Sequence, residues 1–231
     1  ISSELYTYVA MDAPVKFMVI KLHNHSRRTR RLSLTGYWEL VLGEWRHANL
    51  MHIVTEADPH SGALFARNAY GREYAKRIVF AKVSERERSV TGSRTEFIGR
   101  NGSLSSPAAM HRKRLSGKTG AGFDPCAAIQ TQIELAAGQE REIVFIFGAA
   151  HSTDEAQHFI QQYGGLSGAR QALEAVWKYW NHALGAVHVE TPDPALDVLI
   201  NGWLIYQTLS CRLWGRSGYY QSGGAYGFRD Q

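Results

Sequence analysis

Apolar and polar residues alternate along most of the first 150 residues, a pattern typical of β-strands with one buried face. Short separators rich in glycine, proline, serine and asparagine divide this part of the chain into pieces. Together they predict an antiparallel β-sandwich over residues 1–150, so the chain is expected to be mainly β. Strands are expected at Val15–Leu22, Arg31–Leu42, Met51–Glu56, Ala63–Asn68, Arg77–Val83, Thr95–Gly99, Ala127–Leu135 and Arg141–Gly148. The first two are expected to form one long antiparallel pair with a basic tip.

The spacing of apolar residues becomes helical after residue 150. Ser152 and Glu155 form a capping box, because the serine can accept from the backbone of the first turn while the glutamate reaches back. A helix is expected from there to about Tyr163, and a second helix with one apolar face is expected to end at Gly185. Residues 151–187 are therefore predicted to be a helical linker.

A third helix is predicted after Asp193 and Pro194, which suit the N-cap and the first helical position. It runs from Ala195 to about Leu213 and is apolar on most of its faces. A helix of this kind belongs to the core of a larger all-α body, and the chain offers too few other helices to bury it. Residues 188–231 are accordingly expected to be the truncated start of a larger helical domain.

Composition and charge argue against a nucleic-acid partner, a disulfide framework and a membrane span. The net charge is +5, with basic clusters at Ser26–Arg31 and His111–Arg114, but each cluster lies between predicted strands, where solvated turns are expected. No zinc-finger spacing or aromatic–basic signature accompanies them, so no nucleic-acid partner is expected. Two cysteines, Cys126 and Cys211, are too few for a disulfide framework. No apolar run approaches the roughly 18 residues of a membrane span, so no membrane contact is expected from this segment.

Two stretches before residue 150 could carry chemistry. His23 and His25 could share one side of a strand, but no carboxylate or cysteine completes a ligand set, so no metal and no cofactor are expected. The segment Gly120–Cys126 contains two glycines that permit unusual backbone angles, with Asp124 before a proline. It could frame a ligand or only form the bend into the next strand, and both interpretations stay open.

The last fifteen residues, Ser217–Gln231, contain the strongest candidate site. Four glycines allow the backbone to approach a flat ligand, and Tyr226 and Phe228 are among four aromatic rings that could stack on it. Asp230 can accept hydrogen bonds from vicinal hydroxyls of a sugar, and Arg229 can orient that carboxylate. The chain stops inside this segment, so we expect it to be a piece of a longer protein.

Three stretches of the chain, Gly223–Gln231 (GGAYGFRDQ), Gly120–Gln130 (GAGFDPCAAIQ) and Asp193–Trp214, resemble the glycoside phosphorylase family that contains cellobiose and chitobiose phosphorylases, and in particular its cyclic β-1,2-glucan synthase branch. The resemblance implies a galactose-mutarotase-like β-sandwich, linker helices and the first helix of an (α/α)6 barrel. It also implies that Arg229 and Asp230, with Tyr226 and Phe228, bind the donor sugar. Cellobiose phosphorylases have an arginine six residues before this aspartate, where this chain has Gly224, so its sugar recognition should differ from theirs.

The reaction that the resemblance implies is inverting phosphorolysis. One carboxylic acid protonates the glycosidic oxygen while inorganic phosphate, the co-substrate, attacks the anomeric carbon from the opposite face. In the family, the general acid and the phosphate-binding residues follow the Arg-Asp motif. No catalytic residue is therefore expected within these residues, and the 231-residue chain alone is expected to be inactive.

The implied partners are a β-glucan oligosaccharide and the remainder of the parent chain, and a homodimer is kept among the expectations. The implied location is a cytoplasmic-facing soluble portion of a bacterial inner-membrane protein. Two alternatives stay open. One is a non-catalytic carbohydrate-binding or interaction module built on the sandwich. The other, ranked last, is a mutarotase-like epimerase, for which the sequence offers no convincing His/Glu pair for proton transfer.

Overall fold

The computed structural model describes residues 1–71 and 74–210. The strands are β1 (Ser2–Val9), β2 (Val15–His23), β3 (Arg30–Glu39), β4 (Ile53–Ala57), β5 (Leu64–Asn68), β6 (Ile78–Val83), β7 (Arg88–Ser93), β8 (Pro125–Leu135) and β9 (Glu140–Ala150). The α-helices are α1 (Arg46–Asn49), α2 (Arg94–Ile98), α3 (Thr153–Tyr163), α4 (Leu166–Leu184), α5 (Pro194–Val198) and α6 (Leu204–Gln207). The chain divides into two units, Ile1–Leu173 and a second that begins at Glu174.

Two antiparallel sheets make up the first unit. The larger sheet has the strand order β1-β2-β9-β6-β5-β4, and the smaller has the order β3-β8-β7. The core between them is formed by aliphatic and phenylalanine side chains, which alternate with outward-facing residues along each strand. Ile129 and Ile133 of β8 face Ile143 and Phe145 of β9 across this core. The prediction of a mainly β, antiparallel domain followed by helices is confirmed.

The expected pairing of Val15–Leu22 with Arg31–Leu42 is wrong. β2 pairs with β1 and β9, whereas β3 lies in the other sheet and pairs with β8. The turn that connects β2 to β3 is held by Asn24, whose buried side-chain amide donates to Arg28 O at 2.9 Å and to Leu135 O at 3.0 Å. The turn after β2 therefore carries the chain from one sheet to the other.

The outer face of the large sheet is covered by α3. Phe17 is fully buried there, stacked on Tyr8 at 4.8 Å between ring centroids and meeting Tyr163 edge-on at 5.6 Å. The predicted cap forms, since Ser152 Oγ accepts from Glu155 N at 3.1 Å, while the Glu155 carboxylate reaches back to His151 N, one residue before the N-cap, at 2.5 Å. Helix α3 thus begins after Ser152 and ends at Tyr163, as its sequence predicts.

The predicted strand at Thr95–Gly99 is wrong, because this segment forms α2. Ser93 Oγ accepts from Glu96 N at 3.4 Å and caps the helix, which buries Phe97 and Ile98. These two side chains form a second cluster on the outer face of the small sheet, together with Cys126 and Ala128. Two strands, β1 and β7, were not among the expected ones.

Candidate functional site

The predicted sugar-binding residues Tyr226, Phe228, Arg229 and Asp230 lie outside the described residues. Their role therefore stays a prediction. The described part of the second unit is the helical segment that leads toward them in sequence. Its geometry shows how the chain enters the predicted helical domain.

The start of this helical segment is held by side chain–backbone hydrogen bonds. Asp193 Oδ1 accepts from Ala195 N at 2.9 Å, as predicted for an N-cap before a proline. Asp197 Oδ1 accepts from Thr191 N at 2.9 Å, six residues earlier and before the helix begins. Asn201 exchanges two hydrogen bonds of 2.8 Å with the backbone of Val189. The segment before the helix is therefore tied to the helix at two positions, Asp197 and Asn201.

The expected single α-helix after Ala195 contains a π-helical stretch. α5 passes into a π-helix at Leu199–Trp203 and returns to α-helix at α6. One extra residue per turn rotates the side chains that follow, and such stretches are frequent at functional sites. Tyr206 lies among aromatic rings, 5.1 Å from Trp180 and 6.0 Å from Trp203 between ring centroids. The sequence signal for the π-helix is weak, and Gly202 within it is the only local irregularity.

In the first unit, a cluster of ion pairs surrounds the Gly120–Cys126 segment. Asp124 pairs with Arg46 through a short hydrogen bond and with Arg94 at 3.4 Å. Glu39 joins the same two arginines, at 3.6 Å from Arg46 and 2.7 Å from Arg94. The hydrogen bond from Arg94 holds the pKa of Glu39 below its ordinary value. Burial, followed by the hydrogen bond to Glu39, raises the pKa of Tyr37.

The backbone of the same segment is tied to β4. Thr55 N donates to Gly120 O at 3.0 Å, and Gly120 N donates to Thr55 Oγ1 at 3.1 Å. Gly120 and Gly122 have φ values of 129° and 77°, which L-residues rarely adopt. Because the Asp124 carboxylate is engaged by two arginines, the contacts favour the structural interpretation of this segment, an anchored bend into β8.

Of the two histidines considered for metal binding, His23 ends β2 of the large sheet and His25 lies in the turn that follows. The rings of His23 and His25 are 3.9 Å apart, His25 Nε2 lies 2.7 Å from Ser2 Oγ, and His23 Nδ1 lies 3.4 Å from Glu140. Within residues 1–71 and 74–210, no group of three potential metal ligands comes together. None of the helices in these ranges is both long and apolar enough to cross a membrane.

Comparison with known proteins gives two family matches. Residues 1–166 match the glycosyl hydrolase 94 supersandwich domain, and residues 179–231 match the catalytic domain of the glycosyl hydrolase 94 superfamily. The second match includes the predicted sugar-binding residues. The two matches thus follow the order of sandwich and helical region along this chain.

Three relatives cover most of this chain. It is 39% identical to the cyclic beta-(1,2)-glucan synthase NdvB of Rhizobium meliloti (strain 1021), over 94% of the chain and 8% of the relative. It is 33% identical to a cellobionic acid phosphorylase of Neurospora crassa, over 80% of the chain and 24% of the relative. It is 23% identical to an N,N'-diacetylchitobiose phosphorylase of Vibrio furnissii, over 91% and 27% respectively.

The chain thus spans about a quarter or less of the length of the three relatives. The supersandwich match alone covers residues 1–166, more than half of the chain, and coincides with the two-sheet unit described above. The chain belongs to the glycosyl hydrolase 94 family.

Proposed function

We propose that this chain is a portion of a larger protein whose helical region phosphorolyses a β-1,2-linked glucan with inversion. The observation that carries the proposal is the 39% identity to a cyclic beta-(1,2)-glucan synthase along 94% of the chain. Two of the other relatives are named as phosphorylases, and their names differ in the sugar. Family membership therefore supports the reaction class, and the first relative supports the linkage.

The proposed chemistry needs one acid and one phosphate. A carboxylic acid donates its proton to the glycosidic oxygen, the bond from that oxygen to the anomeric carbon breaks, and a phosphate oxygen bonds to that carbon from the opposite face. Arg229 and Asp230 position the donor sugar through hydrogen bonds to its hydroxyls, and Tyr226 and Phe228 stack on its ring. The acid and the phosphate-binding residues are expected outside these 231 residues.

The proposed organisation has a sandwich over residues 1–150, a helical linker over 151–187 and the start of an (α/α)6 catalytic domain over 188–231. The partners are a β-glucan oligosaccharide and the rest of the longer protein, on the cytoplasmic side of a bacterial inner membrane. A homodimer stays a prediction.

The alternative, a non-catalytic carbohydrate-binding module, has one observation in its favour. Loops of the sandwich expose aromatic rings that could stack on sugars, with Trp45 60%, Tyr74 52% and Tyr70 75% exposed. The Tyr70 ring is already stacked on His52 at 4.2 Å, which leaves one face for a ligand.

The test is an assay of sugar 1-phosphate release by the full-length gene product that contains this segment. With inorganic phosphate present, release from β-1,2-linked gluco-oligosaccharides should exceed release from cellobiose or chitobiose. The isolated 231-residue chain should release none. Release by the isolated chain would show that the general acid lies within it. Equal release from every linkage would contradict the proposed substrate.

A further inference from the structure

A groove of about 560 Å³ lies against the small sheet. Ile129 and Ile133 of β8 face the core between the sheets, so Gln130 and Gln132 lie on the opposite face, which forms the floor of the groove. The lining residues are Arg86, Glu87, Arg88, Ser89, Lys113, Arg114, Gln130 and Gln132. This volume is within the range of small-molecule sites in proteins.

The lining of the groove is strongly basic. Four of the lining residues are cationic, and Glu87 is the one acid among them. Arg88 is held by backbone carbonyls, at 2.8 Å from Gly62 O and 2.9 Å from Ser61 O. In the described ranges no carboxylate lies within ion-pair distance of Arg86, Lys113 or Arg114. Lys113 and Arg114 come from the basic cluster that the sequence predicts to be a solvated turn.

The floor of the groove contains the buried side-chain amide of Gln130. Gln130 is 1% exposed, and neither its Oε1 nor its Nε2 has a hydrogen-bond partner among the described residues. Thr35, its cross-strand neighbour on β3, has a buried Oγ1 that is equally unpartnered within those residues. Buried side-chain polar atoms in folded proteins nearly always have partners, so this pair of residues points to a bound group.

The amide and its neighbours could recognise hydroxyl groups. A glutamine amide offers both a donor and an acceptor, as does each hydroxyl of a sugar. Ser89, the neighbour of Gln130 on β7, accepts from Leu115 N at 3.0 Å and retains a hydroxyl hydrogen to donate. Arg86, Lys113 and Arg114, which pair with no described carboxylate, could hold a phosphate group by charge-assisted hydrogen bonds.

We propose that this groove binds a phosphorylated sugar, with Arg86, Lys113 and Arg114 on the phosphate and Gln130 on the sugar hydroxyls. The flexible cationic side chains move aside to admit the sugar to the amide. The site depends only on residues 86–132 and on Thr35, so it does not rest on the proposed glucan phosphorolysis.

The test is a calorimetric titration of the protein with glucose 1-phosphate, glucose and inorganic phosphate in parallel. Glucose 1-phosphate should bind about tenfold more tightly than either part alone, because only it engages both the cations and the amide. Gln130→Met should weaken glucose 1-phosphate about tenfold and leave phosphate binding unchanged. Arg114→Gln should weaken both anions about threefold, less so at high salt.

One variant serves as the control: Arg27→Gln makes the same charge change in the exposed turn after β2 and should leave every affinity unchanged. Every titration is repeated in an Asp230→Ala background, which removes the proposed donor-sugar contact, and the effects of Gln130→Met and Arg114→Gln should persist there. Gln130→Met should fold with at least the parent stability, because it removes an unpaired buried amide. The proposal is overturned if Gln130→Met binds glucose 1-phosphate like the parent, if phosphate alone binds as tightly, or if Arg27→Gln loses as much affinity as Arg114→Gln.

Discussion

The sandwich and the helical segment after it are both rich in apolar residues, but they bury them to different extents. Phe17, Phe80 and Val15 in the sandwich are fully buried. In the segment from α5 to α6 no residue is buried, and Trp203 and Val198 are 55% and 74% exposed. Most strands of the sandwich pack against a second layer, the largely exposed β1 being an exception, whereas no described residue covers the faces of this helical segment in that way. Burial, and not apolar content, therefore decides which region contributes most to the free energy of unfolding.

The largest expected effect compares one aromatic side chain from each region. Phe17→Ala should lower the free energy of unfolding by about 3–5 kcal/mol, because it leaves a cavity between Tyr8 and Tyr163. Trp203→Ala should change it by less than about 0.5 kcal/mol. Urea unfolding followed by far-ultraviolet circular dichroism measures both. Equal losses would show that the helical segment shares a core with the rest of the chain.

A smaller effect is expected at the ion pairs of the sandwich. Asp124→Asn should cost about 1.5 kcal/mol, because Arg46 and Arg94 then share Glu39 alone. Glu134→Gln breaks the exposed pair with Arg31 at 3.2 Å and should cost close to nothing. The urea midpoints of the two variants measure both losses in the free energy of unfolding. A similar cost for the two would mean that the Asp124 cluster is as solvated as a surface pair.

A still smaller effect should appear in the pH dependence of stability. The hydrogen bond from Arg94 lowers the folded-state pKa of Glu39 from its ordinary 4.5, so the stabilisation is complete above pH 4.5 and is lost as the pH falls through the lowered value. Because the side chain is 37% exposed, the contribution should be only about 0.3 kcal/mol. Urea midpoints between pH 3 and 6 should therefore fall slightly less steeply for Glu39→Gln. An unchanged or steeper slope would contradict this contribution.

Cys126 is fully buried, so the reactivity of its thiol reports directly on whether the sandwich is closed. Burial raises the pKa of its thiol to about 12, so the reactive thiolate is scarce at neutral pH. Alkylation of the Cys126 peptide by iodoacetamide, followed by mass spectrometry, should therefore proceed only as fast as the sandwich unfolds. The Phe17→Ala variant should speed it. Rapid labelling in the parent protein would contradict a closed core around β8.

Local signals explain which parts of the fold could be predicted. The caps at Ser152 and Asp193 act within one helical turn, and both form as their sequences predict. The expected pairing of β2 with β3 is wrong because strand pairing depends on contacts between residues distant in sequence, such as the hydrogen bond from Asn24 Nδ2 to Leu135 O. The expected strand at Thr95–Gly99 is wrong because the five residues of α2 are too few to show a helical period in the sequence. The hydrogen bond from Glu96 N to the Ser93 side chain, which caps the helix, decides their conformation.

The candidate sites show the same limit. The tail motif could be found from sequence because glycines, aromatic rings and an Arg-Asp pair are adjacent in it. The basic groove could not be found, because residues 86–89, 113–114 and 130–132 meet only after β7 and β8 pair. Nothing in the sequence marks Gln130 as buried without a partner. Sites assembled from separate strands need the register that only the fold supplies.

The most direct measurement of the proposed division between scaffold and sugar site is a titration of the full-length gene product with a β-1,2-linked glucotriose. Asp230→Ala should weaken binding at least about tenfold, because the carboxylate is expected to accept from the sugar hydroxyls. Asp154→Ala, an equal charge change on the exposed first turn of α3, should bind like the parent. If Asp230→Ala also binds like the parent, the sugar site lies elsewhere and the sandwich becomes the candidate.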